Sequence, residues 1–395
     1  MIICFLVQRR HARFFPKQLL HRKRIPCFLG FLTIILLSPL TPTAQIRVCE
    51  LKKCPMVGVK KHHPQYTQLQ SCLRNIQAHN GGATEKPSAP YSLIPGSLGF
   101  CTLIHVLQRL HFLPQGTSFS LASVTCALKQ VQRIHGFPET GTLDAQTRKS
   151  LYGNQDKLIS HIKKAIAQWR QLGCLPPHCL VTNIPSFHQE IIHHGYTHQY
   201  SRVMVGKLES KTPIFSGFIY ALVFNPTWII PRTRYKDFGP CVGKDGIYRK
   251  NGMLFQKPGP KNHLGQVKFL TKRSDAIIFH STHEPQLFNQ AVRAFSLGCV
   301  RVQDCIPMAK YILDTSGISL DIGALLKQKI SKVYTLSSPF PVYVVYQTLW
   351  IKDGIFQVYQ DIYGRKPTAQ CSIIASVTKK ICKKDKTNPV LTCKK

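Results

Sequence analysis

Hydrophobic spacing changes character several times along the chain. Residues 25–40 (IPCFLGFLTIILLSPL) are an almost unbroken apolar run. Arg9, Arg10, Arg13, Lys17, Arg22, Lys23 and Arg24 precede it with no acidic residue, and Thr41-Pro42-Thr43-Ala44 follows. A basic stretch, an apolar run and then small residues is the layout of an export signal. The run is shorter than the ~20 residues of a usual membrane-spanning helix. Its cleavage site is weak and its basic stretch long, so residues 1–44 read as an export signal or an uncleaved membrane anchor. An ordinary buried helix would show a polar face, and this run has none.

Residues 45–96 are polar, punctuated by Pro and His, and without clear period; 81–95 (GGATEKPSAPYSLIP) read as a linker. From residue 97 helical spacing begins. Leu103, Val106, Leu107 and Leu110 form one apolar stripe, and Leu121, Val124, Leu128 and Val131 a second, ending at a capping Gly136. After a turn at 138–141, Asp144 is placed to cap a third short helix to Leu151. These spacings predict a small three-helix bundle over 97–155. Leu158, Ile159, Ile162, Ile166, Trp169 and Leu172 share one face of a further helix, with Trp169 as a packing anchor.

Beyond it the period shortens. Runs at 181–187, 202–206, 218–224, 266–270, 276–280, 299–302, 341–351 and 355–359 read as strands, with helices near 304–313 and 320–328. The predicted class is therefore multidomain α+β, a small helical bundle followed by a β-rich domain, sandwich or mixed, over 156–365. Residues 366–395 form a basic tail carrying Cys371, Cys382 and Cys393.

Charge adds a second constraint. Lys and Arg number 53 against 17 Asp and Glu, a formal net charge of +36. So few carboxylates exclude calcium cages and functions built on acidic clusters. A surface this basic seeks a polyanion: a wall polymer, anionic lipid or nucleic acid. The export segment and the lack of a nucleic-acid-binding motif argue against the last. Of 15 cysteines, Cys4 and Cys27 fall in the amino-terminal segment; setting one more aside as a working thiol leaves 12, compatible with disulfides in an oxidising compartment.

Candidate chemistry concentrates in 275–304 (DAIIFHSTHEPQLFNQAVRAFSLGCVRVQD), where a histidine ends one strand and Ser296-Leu297-Gly298-Cys299-Val300-Arg301 opens another. A free thiol is only a few per cent thiolate at neutral pH. An imidazole within reach raises that fraction and can protonate a leaving group. His280 supplies the imidazole and Arg301 a supporting cation. Gly298 admits a substrate carbonyl, and the main-chain N–H at Cys299 is a natural oxyanion donor.

Three other groupings read as structural. His188, His193, His194 and His198 lie in a strand–turn–strand with Gly195 in the turn, and polar turn residues explain them better than a metal site. Cys174 and Cys179 lack the second pair a zinc site needs, and read as a disulfide or two unrelated thiols. Cys305 reads as buried packing or a disulfide half.

The 275–304 segment closely resembles the catalytic motif of the L,D-transpeptidase (YkuD) family, in which a His precedes Ser/Thr-x-Gly-Cys-x-Arg by about fifteen residues. Fifteen residues separate His280 from Ser296, whereas His283 would leave twelve. The closer resemblance is to the YcbB-type branch. It is carried by FHSTHEP, Leu287-Phe288 and Arg293-Ala294-Phe295-Ser296-Leu297-Gly298-Cys299-Val300-Arg301-Val302. Further landmarks follow in order: Asn183-Ile184-Pro185, Val205-Gly206-Lys207 with Thr212-Pro213, Asn225-Pro226-Thr227-Trp228, Pro258-Gly259-Pro260 with Leu264-Gly265, and Asp361-Ile362-Tyr363-Gly364. Upstream, LQRLHFLP and ALKQVQRIHGFPETGTLDAQTRKSL resemble the peptidoglycan-binding repeat of cell-wall enzymes.

The resemblance implies a cysteine acyltransferase. Cys299, activated by His280, attacks the bond between the diamino acid and D-Ala of a tetrapeptide stem and releases D-Ala. A neighbouring stem amine resolves the thioester into a 3-3 cross-link. Water as acceptor would make it an L,D-carboxypeptidase, and loss of the chemistry a degenerate peptidoglycan-binding protein. Gly298, Ser296, Arg301 and Ser281 are expected to support the site, and a main-chain carbonyl or Ser281 to orient His280. Asn225 and Trp228 are expected to be structural. Arg293 is expected to meet a substrate carboxylate or to serve a structural ion pair. No metal or organic cofactor is expected. The implied partners are peptidoglycan stem peptides and glycan, with anionic wall or membrane meeting the basic regions, and the implied location is the periplasm or cell envelope. Leu297 stands where most of the family has a second His, and the segment between Trp228 and Pro258, a substrate-covering lid in the branch, is short here.

Overall fold

The computed structural model describes residues 62–79, 91–116, 119–153, 155–272 and 277–365, which fall in one compact unit, Pro55–Lys395. The export or anchor segment (1–44), most of the expected linker and the basic tail lie outside the described residues. Among the described residues no helix is long and apolar enough to cross a membrane.

Five helices come first: α1 (Pro64–Ala78), α2 (Leu98–Arg109), α3 (Leu121–His135), α4 (Ala145–Tyr152) and α5 (Asp156–Leu172). α1 is a departure from the sequence reading, which leaves 45–96 without structure. Its buried side, Gln65, Leu69, Cys72 and Ile76, has helical spacing but opens on the polar Gln65 and carries only two aliphatic residues, so hydropathy alone misses it. α2, α3 and α4 begin at Ser97, Ser120 and Asp144, whose side chains accept the N–H of Phe100, Ser123 and Thr147, the ordinary N-cap arrangement. α3 ends at Gly136, left-handed at φ +73°.

A buried amide organises this region. Gln132, on α3, donates to Thr140 Oγ1 (3.1 Å), Thr142 O (3.0 Å) and Thr147 Oγ1 (3.0 Å), and accepts from Gly141 N (2.8 Å). One side chain thus ties α3 to the following turn and to α4. Gln108 does the same at the end of α2, donating to Pro114 O and Gly116 O.

The strands are β1 (His178–Asn183), β2 (His188–His193), β3 (Tyr196–Gly206), β4 (Phe215–Phe224), β5 (Trp228–Ile229), β6 (Ile247–Lys250), β7 (Met253–Gln256), β8 (Val267–Thr271), β9 (Phe279–His280), β10 (Ala294–Ser296), β11 (Val300–Val302), β12 (Lys332–Val345), β13 (Leu349–Lys352) and β14 (Ile355–Val358). Helices α6 (Tyr235–Phe238), α7 (Cys305–Thr315) and α8 (Ile322–Lys327) interrupt them. Nine strands run in the order β10-β3-β11-β9-β8-β4-β12-β1-β2, and β2 also pairs with β3, so the sheet closes on itself. β3 makes this possible by pairing with β2 along its first part and with β11 and β10 along its last. The β2–β3 turn places both His194 and Gly195 at positive φ, as a tight two-residue hairpin requires.

β13 and β14 form a separate hairpin against the helices. Gln65 of α1 accepts from Ile351 N (2.6 Å) and donates to Ile351 O, while Gln130 accepts from Val358 N (2.6 Å) and His111 O from Phe356 N (2.8 Å). Both edges are thereby capped by residues of the helical region rather than left open. Trp169 of α5 is buried with its ring stacked on His63 at 4.1 Å and edge-on to Trp350 of β13 at 5.4 Å.

Residues 228–256 form a second, smaller layer, a three-stranded sheet β5-β7-β6. It has its own apolar centre of Ile230, Phe238, Ile247 and Leu254, with Trp228, Tyr235 and Cys241 packed around it. Cys72, Cys101, Cys126, Cys179, Cys241 and Cys305 are free thiols. Of the two readings of Cys174 and Cys179, a disulfide or two unrelated thiols, the second holds: Cys179 is buried within β1, while the half-buried Cys174 faces His62 Nε2 at 3.9 Å.

Gln132→Leu keeps the volume and strands Gly141 N–H and the Thr142 carbonyl. With roughly 1–3 kcal/mol lost for each buried group left unpaired, the variant is expected to unfold at clearly lower urea than wild type. An unchanged midpoint would show that the amide does not hold α3 to α4.

Candidate active site

Strand register decides which side chains meet. β9 runs parallel to β11 with Phe279 opposite Val300 and His280 opposite Arg301, and Val300 N donates to Ile278 O at 3.0 Å. β8 runs antiparallel to β9 with Phe269 opposite Phe279 and Lys268 opposite His280. Side chains alternate along a strand and paired residues share a face. Phe269, Phe279 and Val300 fill the core with no exposure. Lys268, His280 and Arg301 therefore share the other face, and Cys299, one residue before Val300, falls on it by the same alternation. Cys299 is half-buried at the open end of β11.

The turn that presents Cys299 has little freedom. Gly298 sits at φ +112°, a conformation L side chains rarely adopt, and a Cβ there would lie 3.0 Å from Ile277. Its N–H donates to Ser296 Oγ (3.1 Å), which in turn donates to Cys299 O (2.5 Å). Gly298 thus contributes shape, while its own N–H is already engaged. Beneath the turn, Thr212 Oγ1 donates to Gly298 O (2.9 Å) and accepts from Gly206 N (2.8 Å), and Thr212 N donates to Tyr363 Oη (3.2 Å). A Cβ on Gly206 would stand 2.0 Å from Ser210 O and 3.1 Å from Gly298 Cα, so main chain packs directly on main chain. Thr212 and Tyr363 belong to sequence landmarks, yet nothing in the sequence shows that two segments 150 residues apart support one turn.

His280 is buried, and its Nδ1 lies 2.6 Å from Ser281 O. A carbonyl only accepts, so Nδ1 carries the proton and the lone pair is left on Nε2. The orienting group is therefore the carbonyl of Ser281. The Ser281 hydroxyl is spent elsewhere: it accepts from Gln266 N (2.7 Å) and Val267 N (3.0 Å) and donates to Leu264 O (3.2 Å). It fills the space where a Cβ of Gly265 (φ +64°) would stand, 2.3 Å away, so that residue must be glycine. Burial, with the Arg301 charge adding to it, lowers the His280 pKa to about 3, against smaller opposing pulls from the Ser281 and Leu264 carbonyls. The imidazole is neutral throughout the physiological range.

Arg301 donates to Glu284 Oε2 at 3.2 Å. Glu284 also lies 3.8 Å from His283 Nε2, and the His283 ring meets His263 at 4.2 Å. His263 packs against Trp228 (4.7 Å) and Phe238 (5.0 Å) of the smaller layer. A chain of contacts thus leads from the Cys299 strand to residues 228–256 through a carboxylate that the sparse acidic content hides from sequence reading.

The expectation that Arg293 meets a substrate carboxylate needs correction. Arg293 is buried, and its guanidinium donates to three main-chain carbonyls, Val203 O (3.2 Å), Gln290 O (2.7 Å) and Phe187 O (3.0 Å). It serves instead to hold the 290–293 segment against β3. Asn225, at positive φ, donates to Leu325 O and Leu326 O of α8. The rings of His178, His193 and His198 gather round Tyr311, whose hydroxyl lies 2.8 Å from Nδ1 of both His178 and His193. Among the described residues no group of three or more His, Cys, Asp or Glu is arranged to hold a metal.

Residues 177–332 match the YkuD family, described as the L,D-transpeptidase catalytic domain. A Haemophilus influenzae protein named "Putative L,D-transpeptidase" is 29% identical over 214 residues, spanning 47% of this chain and 44% of that protein. The chain thus spans under half the length of this curated relative. Among solved structures, an L,D-transpeptidase from Mycobacterium tuberculosis is 13% identical at a TM-score of 0.22, over 43% of this chain and 57% of that one. One from Xylanimonas cellulosilytica is 12% identical at a TM-score of 0.22, over 66% and 100%. The family match and the sequence relative point the same way: residues 177–332 match the L,D-transpeptidase catalytic domain of the YkuD family.

Proposed function

We propose that the chain is a YcbB-type L,D-transpeptidase that remodels peptidoglycan, with Cys299 as nucleophile and His280 as its base. The observation that carries this reading is the shared sheet face of His280, Arg301 and Cys299 set by the β9–β11 register. Nε2 of neutral His280 takes the thiol proton as the sulfur attacks the carbonyl between the diamino acid and D-Ala. The tetrahedral intermediate collapses, the C–N bond breaks, and the imidazolium returns its proton to the leaving D-Ala amine. The thioester then accepts the side-chain amine of a neighbouring stem, forming the 3-3 cross-link and restoring the thiol. Water in place of the amine gives L,D-carboxypeptidase activity.

Because the folded imidazole is neutral, it is free to accept the proton as the sulfur attacks. Arg301 favours negative charge developing on the same face. Helices α2, α3 and α4, ordered around Gln132, are proposed to act as a peptidoglycan-binding module, and residues 228–256 as a compact lid. The family resemblance and the 1–44 segment support action in the cell envelope, where the basic surface would meet anionic wall or membrane.

Incubation with disaccharide-tetrapeptide, followed by mass spectrometry, tests the reaction. Dimer lacking one D-Ala is expected from wild type and nothing from Cys299→Ala. Monomer lacking D-Ala would establish trimming instead, and unchanged substrate would leave only a binding role. A carbapenem is expected to add its mass to wild type and not to Cys299→Ala.

The pH dependence follows from His280. Its folded pKa lies near 3, below the ~6.5 of an unfolded histidine, so between those values the unfolded chain binds more protons. The resulting preference for the folded state is complete above about pH 6.5 and is lost as pH falls toward 3. His188 and His263, each pushed down to about 4 by burial, act in the same direction. Urea midpoints are expected to fall steadily from pH 7 to 5. Cys299 acylation over the same range is expected to show no inflection from His280 near 6.5, and such an inflection would refute the neutral-base mechanism.

A further inference from the structure

Lys268 is a second cation on the face that carries His280. It lies directly across β8–β9 from that histidine and is half-buried. Arg301, the other cation on this face, has Glu284 as its partner. Lys268 has none: among the described residues its ammonium makes no hydrogen bond or ion pair, and burial alone pushes its pKa down. A half-buried ammonium with no partner among the described residues is costly unless an anion completes the site.

We propose that Lys268 receives the carboxylate of the leaving D-Ala of the acyl donor. This rests on the stem-peptide reading above. Register sets Arg301 of β11, His280 of β9 and Lys268 of β8 side by side, with Cys299 two residues before Arg301 on the same face. The acyl carbon must lie at Cys299 and the departing amine at His280, which returns its proton. The D-Ala carboxylate stands two bonds beyond that amine, which carries it past His280 to the strand that holds Lys268. Neighbouring strands lie about 4.8 Å apart, a spacing that a lysine side chain reaches across. The ammonium binds the donor in the ground state and draws the amine toward Nε2. No bond to Lys268 forms or breaks.

Donor discrimination tests the assignment. Tetrapeptide donors are compared with the terminal D-Ala as free acid or carboxamide, following release of D-Ala or D-alaninamide. Wild type is expected to prefer the acid by about 10- to 100-fold in kcat/KM, the range of a charge-assisted hydrogen bond. Lys268→Met is expected to lose that preference by slowing on the acid far more than on the amide, mainly through KM, while Cys299 still alkylates with iodoacetamide. Lys268→Gln is expected to behave likewise, which keeps the test sound if methionine disturbs folding, and Lys268→Arg to retain the preference.

An acid preference that persists in both neutral variants overturns the proposal while leaving the stem-peptide reading intact. So does an equal loss on acid and amide, which marks a structural lysine. A Lys268 effect that vanishes only when the diamino acid's own carboxylate is amidated would show that a different carboxylate is held. If wild type releases D-Ala from no donor, the stem-peptide reading itself fails, and the assignment of Lys268 fails with it.

Discussion

The site depends on one pairing register. β9 contributes two residues and β11 three, and their parallel alignment puts His280 opposite Arg301 and Phe279 opposite Val300. A slip of one residue would send the imidazole into the core and a phenyl ring toward the sulfur. Register is held from both sides: the phenyl and valyl side chains fill a core with no exposed surface, while β8 locks Phe269 against Phe279. The apolar half of each strand thus aligns the polar half.

A second layer of restraint acts on the turn before Cys299. Gly206, Thr212, Ser296, Gly298 and Tyr363 come from four separate segments, yet each hydrogen bond among them ends on the main chain of the turn or on its support. Glycine is required twice for different reasons. Gly298 needs its positive φ, whereas Gly206 needs the space that a Cβ would take from Ser210 O. Such a turn is set before substrate arrives, so little ordering remains to be done on binding.

Much of this is legible in the sequence, and the remainder fails for identifiable reasons. The α5 stripe and the Asp144 cap are local signals and are read directly, whereas the Ser97 and Ser120 caps emerge only from the structure. α1 escapes because its buried face includes Gln65, which is satisfied only by Ile351 some 286 residues away. The short strands of the smaller layer escape because two to four residues carry no readable period. His280 and Cys299 stand out by spacing within a recognisable motif. Arg293 misleads because a cation beside a motif invites a substrate partner, and only burial against three carbonyls reveals its use. Lys268 and Glu284 are invisible for the opposite reason, since each gains meaning from cross-strand or loop proximity alone.

The electrostatics of the face then follow from composition. A chain with about three times as many cations as carboxylates has few acidic groups to spare, and Glu284, the carboxylate that the described residues place near the site, is taken by Arg301. An Asp behind His280 would stabilise imidazolium and raise its pKa. The Ser281 carbonyl fixes the tautomer without adding that charge, and burial beside Arg301 keeps the ring neutral. A neutral base in a cationic pocket favours whatever negative charge develops on sulfur or on a bound carboxylate over positive charge on the imidazole. Under the proposed chemistry, scarcity of acid becomes functional: with Glu284 engaged by Arg301, the anions that the face receives are reacting or binding groups.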